Sequence, residues 1–501
     1  MSRYLGRRRF ITGFAAGLTA TALSPARTLA EAPATSLRPV PRPGSVPVQV
    51  APVSEVVARA KLTGQVGCAV AEAETGQQLE SFGADAPLPP ASVAKALTSL
   101  FALDTLGPDH TFTTAVTVTG EVAGGVLKGD LILQGGGDPT LETDNLVSLA
   151  RSVANTGLKR VEGRFLVWGG ALPYNDEIDA LQPPQVGYNP SVSGMALNFN
   201  RVHFEWKRAG NGWGTTMDAR SDRVRPAVAM ARMRIVDRGA PLYTYEDSGG
   251  TDNWTVALSG LGKGGSRWLP VRKPELYAGE VFRSLLQAEG VTLAAPQVTD
   301  ILPQGRVLVS RNSAPLTTIL KDMLKYSTNL TAEMVGLSAT TKYSGRPRDL
   351  KDSAQIMSGW ARERLGMTKT QMVDHSGLGD DSRTTAGDLV MALNHSLARQ
   401  RLRPLLKVIE MRDTNYKVMK NHPLSVHAKT GTLNFVSTLA GYAQTREGRD
   451  MAFAILTADV PRRDALTEAQ RERPDGGWTW NRNSRLLQQA LLQRWGVAAF
   501  G

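Results

Sequence analysis

The sequence contains a single cysteine, Cys68, among 501 residues. No intramolecular disulfide can form, so packing alone must hold the fold. Cys68 lies in the apolar run Val66-Gly67-Cys68-Ala69-Val70, which reads as a buried strand thiol rather than a nucleophile. Histidine is also scarce, at six. His422 and His427 make only a loose pair, so no metal-ligand set is spelled out. The Gly-x-Ser-x-Gly elbow and the His-Glu-x-x-His zinc motif are both absent, which disfavours an α/β-hydrolase and a zinc peptidase. There is no Walker loop. Gly260, Gly262 and Gly265 have dinucleotide-fingerprint spacing, but no helix follows them, so they read as a turn. Basic residues are not interleaved with aromatics as a nucleic-acid surface requires. Neither metal, cofactor nor nucleic acid is expected.

The formal charge is +12, and five arginines without a single acid lie in residues 1–30. Without that segment the charge is +7, which suits an anionic cell wall without choosing it over other polyanions. Arg7-Arg8-Arg9-Phe10-Ile11 has a twin-arginine pattern, and the apolar stretch Ile11 to Leu23 after it is too short to span a bilayer. Thr28-Leu29-Ala30 offers a small-residue cleavage site. Residues 1–30 are therefore expected to be a Tat-type signal, giving a periplasmic or extracytoplasmic protein with no transmembrane anchor after its removal.

Residues 31–53 carry Pro39, Pro41, Pro43, Pro47 and Pro52 and read as an extended linker. Helical spacing is expected over 54–61, 91–106, 274–289, 315–325, 330–343, 352–365, 385–397 and 483–495. Strands are expected over 64–74, 77–82, 432–445 and 451–458. Short alternating segments between Gly and Pro clusters fill the stretch from Phe112 to about Gln297. The expected fold is an α/β domain, a sheet flanked by helices, split in sequence by a mostly β region. Its parts are 54–113 and 300–501, with the β-rich insert at 114–299.

Three short motifs carry the chemistry. Ser92-Val93-Ala94-Lys95 is the only Ser-x-x-Lys, and Lys429-Thr430-Gly431 is the only Lys-Thr-Gly. Ser327-Thr328-Asn329 breaks two helical runs, where a loop can enter a cleft. Ser310-Arg311-Asn312 repeats the Ser-x-Asn pattern and shows how cheap it is alone.

Residues three apart share a helix face, so Lys95 can reach Ser92. A serine hydroxyl needs a base to become a nucleophile, and a lysine serves if burial or a second cation lowers its pKa. Lys429 is the expected cation. The Ser92 N–H, at a helix start, and the Thr432 N–H are candidate oxyanion donors. Lys429 and the hydroxyls of Thr430 and Thr432 can bind a substrate carboxylate, and Gly431 lets a substrate backbone lie close. Ser327 can relay a proton to a leaving amine. Asn329 can bind the substrate backbone and the Lys95 side chain.

With these motifs in this order, the chain resembles the low-molecular-mass class C penicillin-binding proteins, D-alanyl-D-alanine carboxypeptidases and endopeptidases. The resemblance runs from about Leu62 to Trp495. It includes Leu88 to Ser92, Gly129 to Pro139, Ser193 to Asn200 and Pro315 to Glu333. Ser92 and Ser327 lie 235 positions apart, room for the inserted domain, itself holding a smaller one, that such proteins carry.

The resemblance implies a serine β-lactamase/transpeptidase-like domain acting on peptidoglycan stem peptides. Ser92 would be acylated by the penultimate D-Ala, the terminal D-Ala would leave, and water would cleave the acyl-enzyme. β-Lactams would be covalent inhibitors at Ser92. Three departures stand out: Thr328 where the family has Asp, His375 in Asp374-His375-Ser376-Gly377-Leu378 where it has Gly, and Gly169-Gly170 in place of an acidic pair. The last leaves the pocket for the substrate's diamino acid open. Two alternatives remain at this stage, a β-lactamase and a non-catalytic wall-binding protein. The first lacks a suitably placed Glu-x-x-x-Asn.

Overall fold

A computed structural model describes residues 50–498. The expected signal at 1–30 and most of the linker at 31–53 lie outside the described residues.

The two ends of the described chain build one six-stranded antiparallel sheet. Its order is Lys407–Val408, Ser425–Leu433, Val436–Gln444, Asp450–Ala458, Gln65–Glu72 and Gln78–Phe82. Gln65–Glu72 pairs along its whole length with Asp450–Ala458, so the nucleophile's half of the domain is fastened to the half carrying Lys429. Side-chain alternation sorts the two faces. Cys68, Val70, Phe453 and Ile455 pack with Leu487, Leu491, Leu492 and Trp495 of the closing helix Gly477–Val497. Ala69, Ala71, Ala452 and Ala454 face the other way, toward helices Ala94–Thr105 and Ala386–Asn394. Alanine on that face lets helices approach closely. Cys68 is fully buried, and burial pushes its thiol up to about 12, the inert state expected of it.

The expected single strand over 432–445 is two strands. Ser425–Leu433 and Val436–Gln444 form a hairpin with Leu433 opposite Val436, and Phe435 turns it at φ 54°. The bulky apolar Phe435 hides this turn from a reading that looks for Asn-Gly or Asp-Gly. Lys429-Thr430-Gly431 consequently sits inside a strand instead of opening one.

The middle of the chain builds a second core around a five-stranded sheet. The strand order is Pro296–Val298, Phe165–Trp168, Leu131–Gly135, Thr113–Val118 and Arg306–Asn312. Helices Thr143–Asn155 and Pro274–Ala288 belong to this core. Two three-stranded sheets, centred on Arg201–Ala209 and Asp252–Ala257, are nested within it in sequence. Arg306–Asn312 pairs with Thr113–Val118, so this sheet runs past the expected boundary at 299. The decoy Ser310-Arg311-Asn312 lies on that edge strand, where Asn312 accepts a hydrogen bond from Thr113 at 2.8 Å. Among the described residues no helix is long and apolar enough to cross a membrane.

Candidate active site

Ser92 lies in a 3-10 turn, Ala91–Val93, that runs directly into helix Ala94–Thr105. The expected position was the first α-helical turn. The difference comes from Ala91, held at φ 45°, a conformation L-residues avoid. Contacts from three segments impose it. The Thr438 hydroxyl donates to the Pro90 carbonyl at 2.8 Å. A Cβ on Gly431 would stand 2.9 Å from the Ser92 nitrogen. A Cβ on Gly377 would stand 1.9 Å from the Ala91 carbonyl oxygen, and Gly377 has φ +76°. Glycine is required at 377 for both space and conformation.

Lys95 is wholly buried and points back to Ser92. Its Nζ lies 3.1 Å from Ser92 Oγ, 2.7 Å from Asn329 Oδ1 and 2.8 Å from the Ser376 carbonyl oxygen. The Asn329 amide nitrogen donates to the Tyr188 carbonyl at 2.9 Å, which fixes the orientation of that amide. Asn329 Oδ1 and the Ser376 carbonyl can only accept. A neutral Lys95 amine spends its two hydrogens on them and turns its lone pair to the Ser92 hydroxyl. Burial lowers the amine to about 8, against the charges of Glu333 and Asp374, which raise it. Of the two expected causes, burial and the charge of Lys429, burial is the lever on Lys95.

Ser327 ends helix Leu316–Tyr326 in the left-handed region at φ 62°, and Asn329 opens helix Asn329–Ser344. This strained serine sits where its side chain is used, a pairing common at functional sites. Lys429 Nζ donates to Ser327 Oγ at 2.9 Å and to the Thr430 carbonyl at 2.7 Å. Burial first, then the charges of Lys95 and Lys407, hold Lys429 well below the ordinary lysine range. Strand Lys407–Val408 pairs only with Ala428 and His427, which leaves the edge from Lys429 onward open on that side. Gly431 lies against Ser92, and Thr432 lines a cleft of about 300 Å³ with Ser92, Ser327 and Asn329. The three motifs expected to act together are therefore brought to one place.

Sequence reasoning did not find the layer beneath Lys95. Glu333 is fully buried and accepts the backbone N–H groups of His375, at 2.9 Å, and Ser376, at 2.8 Å. It thereby holds the Ser376 carbonyl on Lys95. Burial and the charge of Asp374 push the Glu333 carboxyl up. Asp374 in turn accepts from the N–H groups of Gly377, Leu378 and Gly379 and from the hydroxyls of Ser376 and Ser382. No spacing rule signals this, because a carboxylate that binds a turn's backbone looks like any helical acid. The departure at His375 has a structural counterpart: Gly336, whose Cβ would stand 2.2 Å from the imidazole ring. Gly169 does not line the cleft. The carboxylate of Glu275, bonded to the Ser193 hydroxyl, occupies the space beside it.

Among the described residues no group of three or more His, Cys, Asp or Glu side chains could hold a metal ion.

A model of the D-Ala-D-Ala carboxypeptidase 3 (S13) family matches residues 49–481. The D-alanyl-D-alanine carboxypeptidase of Actinomadura sp. (strain R39) is 27% identical over 433 residues, covering 78% of this chain and 77% of that protein. Carboxypeptidase DacB of Mycolicibacterium smegmatis is 27% identical over 407 residues, covering 77% and 75%. Among solved structures, penicillin binding protein 4 (dacB) of Haemophilus influenzae superposes with a TM-score of 0.72 at 18% identity. That match covers 88% of this chain and 99% of the solved one. The same Haemophilus protein has been solved in complex with a β-lactam. With the motif residues assembled and the family model matched over most of its length, this chain belongs to the D-Ala-D-Ala carboxypeptidase 3 (S13) family.

Proposed function

We propose that the protein is a serine D-Ala-D-Ala carboxypeptidase, with DD-endopeptidase activity on crosslinked stem peptides, working through an acyl-enzyme on Ser92. The observation that carries this is the Lys95 amine, whose two acceptor partners leave only the Ser92 hydroxyl to donate to it.

Lys95 Nζ takes the Ser92 proton as Ser92 Oγ bonds to the carbonyl carbon of the penultimate D-Ala. The N–H groups of Ser92 and Thr432 hold the oxyanion. Ser327, hydrogen-bonded to Lys429, gives its proton to the nitrogen of the terminal residue as the C–N bond breaks. It is reprotonated by the proton that Lys95 took from Ser92, which leaves Lys95 neutral again. Lys429 with the Thr430 and Thr432 hydroxyls binds that residue's carboxylate. Water then hydrolyses the ester and returns Ser92 and Lys95 to their starting states.

A β-lactam presents the same carbonyl and carboxylate, so it acylates Ser92. No Asp or Glu is among the residues that line the cleft. That favours a persistent β-lactam ester over a β-lactamase, which needs a second base for rapid deacylation. The catalytic unit is assigned to 54–113 and the C-terminal part, with the insert between them extended from 114–299 through Asn312. A Tat-type leader at residues 1–30 would deliver the enzyme to the periplasm, where its peptidoglycan substrate lies.

Mass spectrometry of products from intact peptidoglycan tests the activity. Loss of terminal D-Ala, with cleaved crosslinks, is expected. An unchanged digest with folded protein overturns the proposal.

A further inference from the structure

A second cavity, of about 150 Å³, opens beside the catalytic cleft. It shares Tyr188, Ser327 and Asn329 with the cleft and adds Phe199, Arg201 and Tyr326. Arg201 begins strand Arg201–Ala209, and its guanidinium is mostly withdrawn from solvent. The guanidinium carbon lies 5.2 Å from the centre of the Phe199 ring and 5.5 Å from that of Trp268. Neither ring offers an acceptor to its N–H groups. Nε is buried with no hydrogen-bond partner. Glu142 acts on Arg201 only through its field, and no carboxylate among the described residues forms an ion pair with it. The two arginines most withdrawn from solvent are paired: Arg463 with Asp380, and Arg272 with Glu177 and three backbone carbonyls.

A buried guanidinium without an anion costs stability that aromatic contact offsets only in part. Its planar fork of donors suits a carboxylate. We infer that this cavity is a subsite for a second carboxylate of the substrate, held by Arg201, separate from the terminal carboxylate at Lys429. The inference rests on the peptidase reading of the cleft. A stem peptide offers such a group at its D-glutamyl residue and, where the third residue is a diaminopimelate, at that residue.

Steady-state D-Ala release from three pentapeptides tests it. One has both carboxylates free, one is amidated at the glutamyl residue, and one is amidated at the third residue. In the unaltered protein one amidation should raise KM about tenfold with kcat nearly unchanged, the scale of a hydrogen bond to a charged group. The peptide that suffers identifies the carboxylate. Arg201→Gln should raise KM for the free peptide equally and erase the discrimination, while Arg201→Lys keeps part of it. Penicillin should acylate both variants at the normal rate, which a general disruption of the site would not allow. Equal KM values for all three peptides in the unaltered protein overturn the subsite and leave the peptidase reading standing. Release from none of the three overturns the peptidase reading itself.

Discussion

Lys95 Nζ lies 2.7 Å from Asn329 Oδ1, across 234 positions of sequence. The contact joins the nucleophile helix to the helix that carries the Ser-x-Asn motif, and it decides where the lysine's lone pair points. Asn329→Asp should therefore do more than weaken binding. A carboxylate there raises the Lys95 pKa and loses the hydrogen bond to the Tyr188 carbonyl. Acylation by penicillin should slow by roughly 10²- to 10⁴-fold at neutral pH, the range of general-base catalysis. Stopped-flow acylation should show its rise moved to higher pH.

The pH profile of the unaltered enzyme follows from the same amine. With the Lys95 pKa lowered to about 8, the acylation rate should climb as pH rises through that region. Glu333 raises the Lys95 pKa, so removing its charge lowers it. Glu333→Gln should move the climb to lower pH. A purely structural role for Glu333 would lower the rate without moving the midpoint.

Gly336 and His375 form a matched pair. Gly336→Ala would push a methyl group into the buried imidazole, and overpacking of this kind costs about 1–3 kcal/mol. Thermal unfolding should show a lower Tm for that variant. In a His375→Gly background the same alanine should cost little, because the ring it strikes is gone.

His375 also sets an acid limit. Burial lowers its pKa to about 3, with Nε2 2.7 Å from the Ser353 hydroxyl. An unfolded histidine titrates near ~6.5. Above that value neither state binds the proton. Below it the unfolded chain gains a proton that the fold refuses, so stability is lost progressively as pH falls toward 3. The slope from this one group approaches about 1.4 kcal/mol per pH unit. Denaturant unfolding at stepped pH should show a shallower acid slope in His375→Gly.

Much of this was legible in the sequence because the catalytic groups travel in short motifs. Ser92 and Lys95 are three apart on one turn, and Lys429 to Thr432 share a strand, so each fragment announces itself locally. The fold class was legible for a similar reason. Apolar spacing marks the helices, and alternation marks the central strands. What stayed hidden depends on contacts between distant segments. The Asn434-Phe435 turn has Phe at φ 54° where a hairpin usually places Gly. Arg306–Asn312 is an exposed edge strand whose partner lies about two hundred positions earlier. Glu333 acts on backbone N–H groups more than forty positions away, and a helical glutamate carries no mark of that duty. Arg201 reads as an ordinary surface strand residue until the fold buries it.

Labelling with a fluorescent penicillin, comparing the unaltered protein with Ser92→Ala, is the most direct measurement of the central claim. The unaltered protein should carry a stable covalent label that maps to the peptide containing Ser92, and the variant should carry none. Equal labelling of the two would show that the acyl group sits elsewhere and would contradict the assignment of Ser92 as nucleophile.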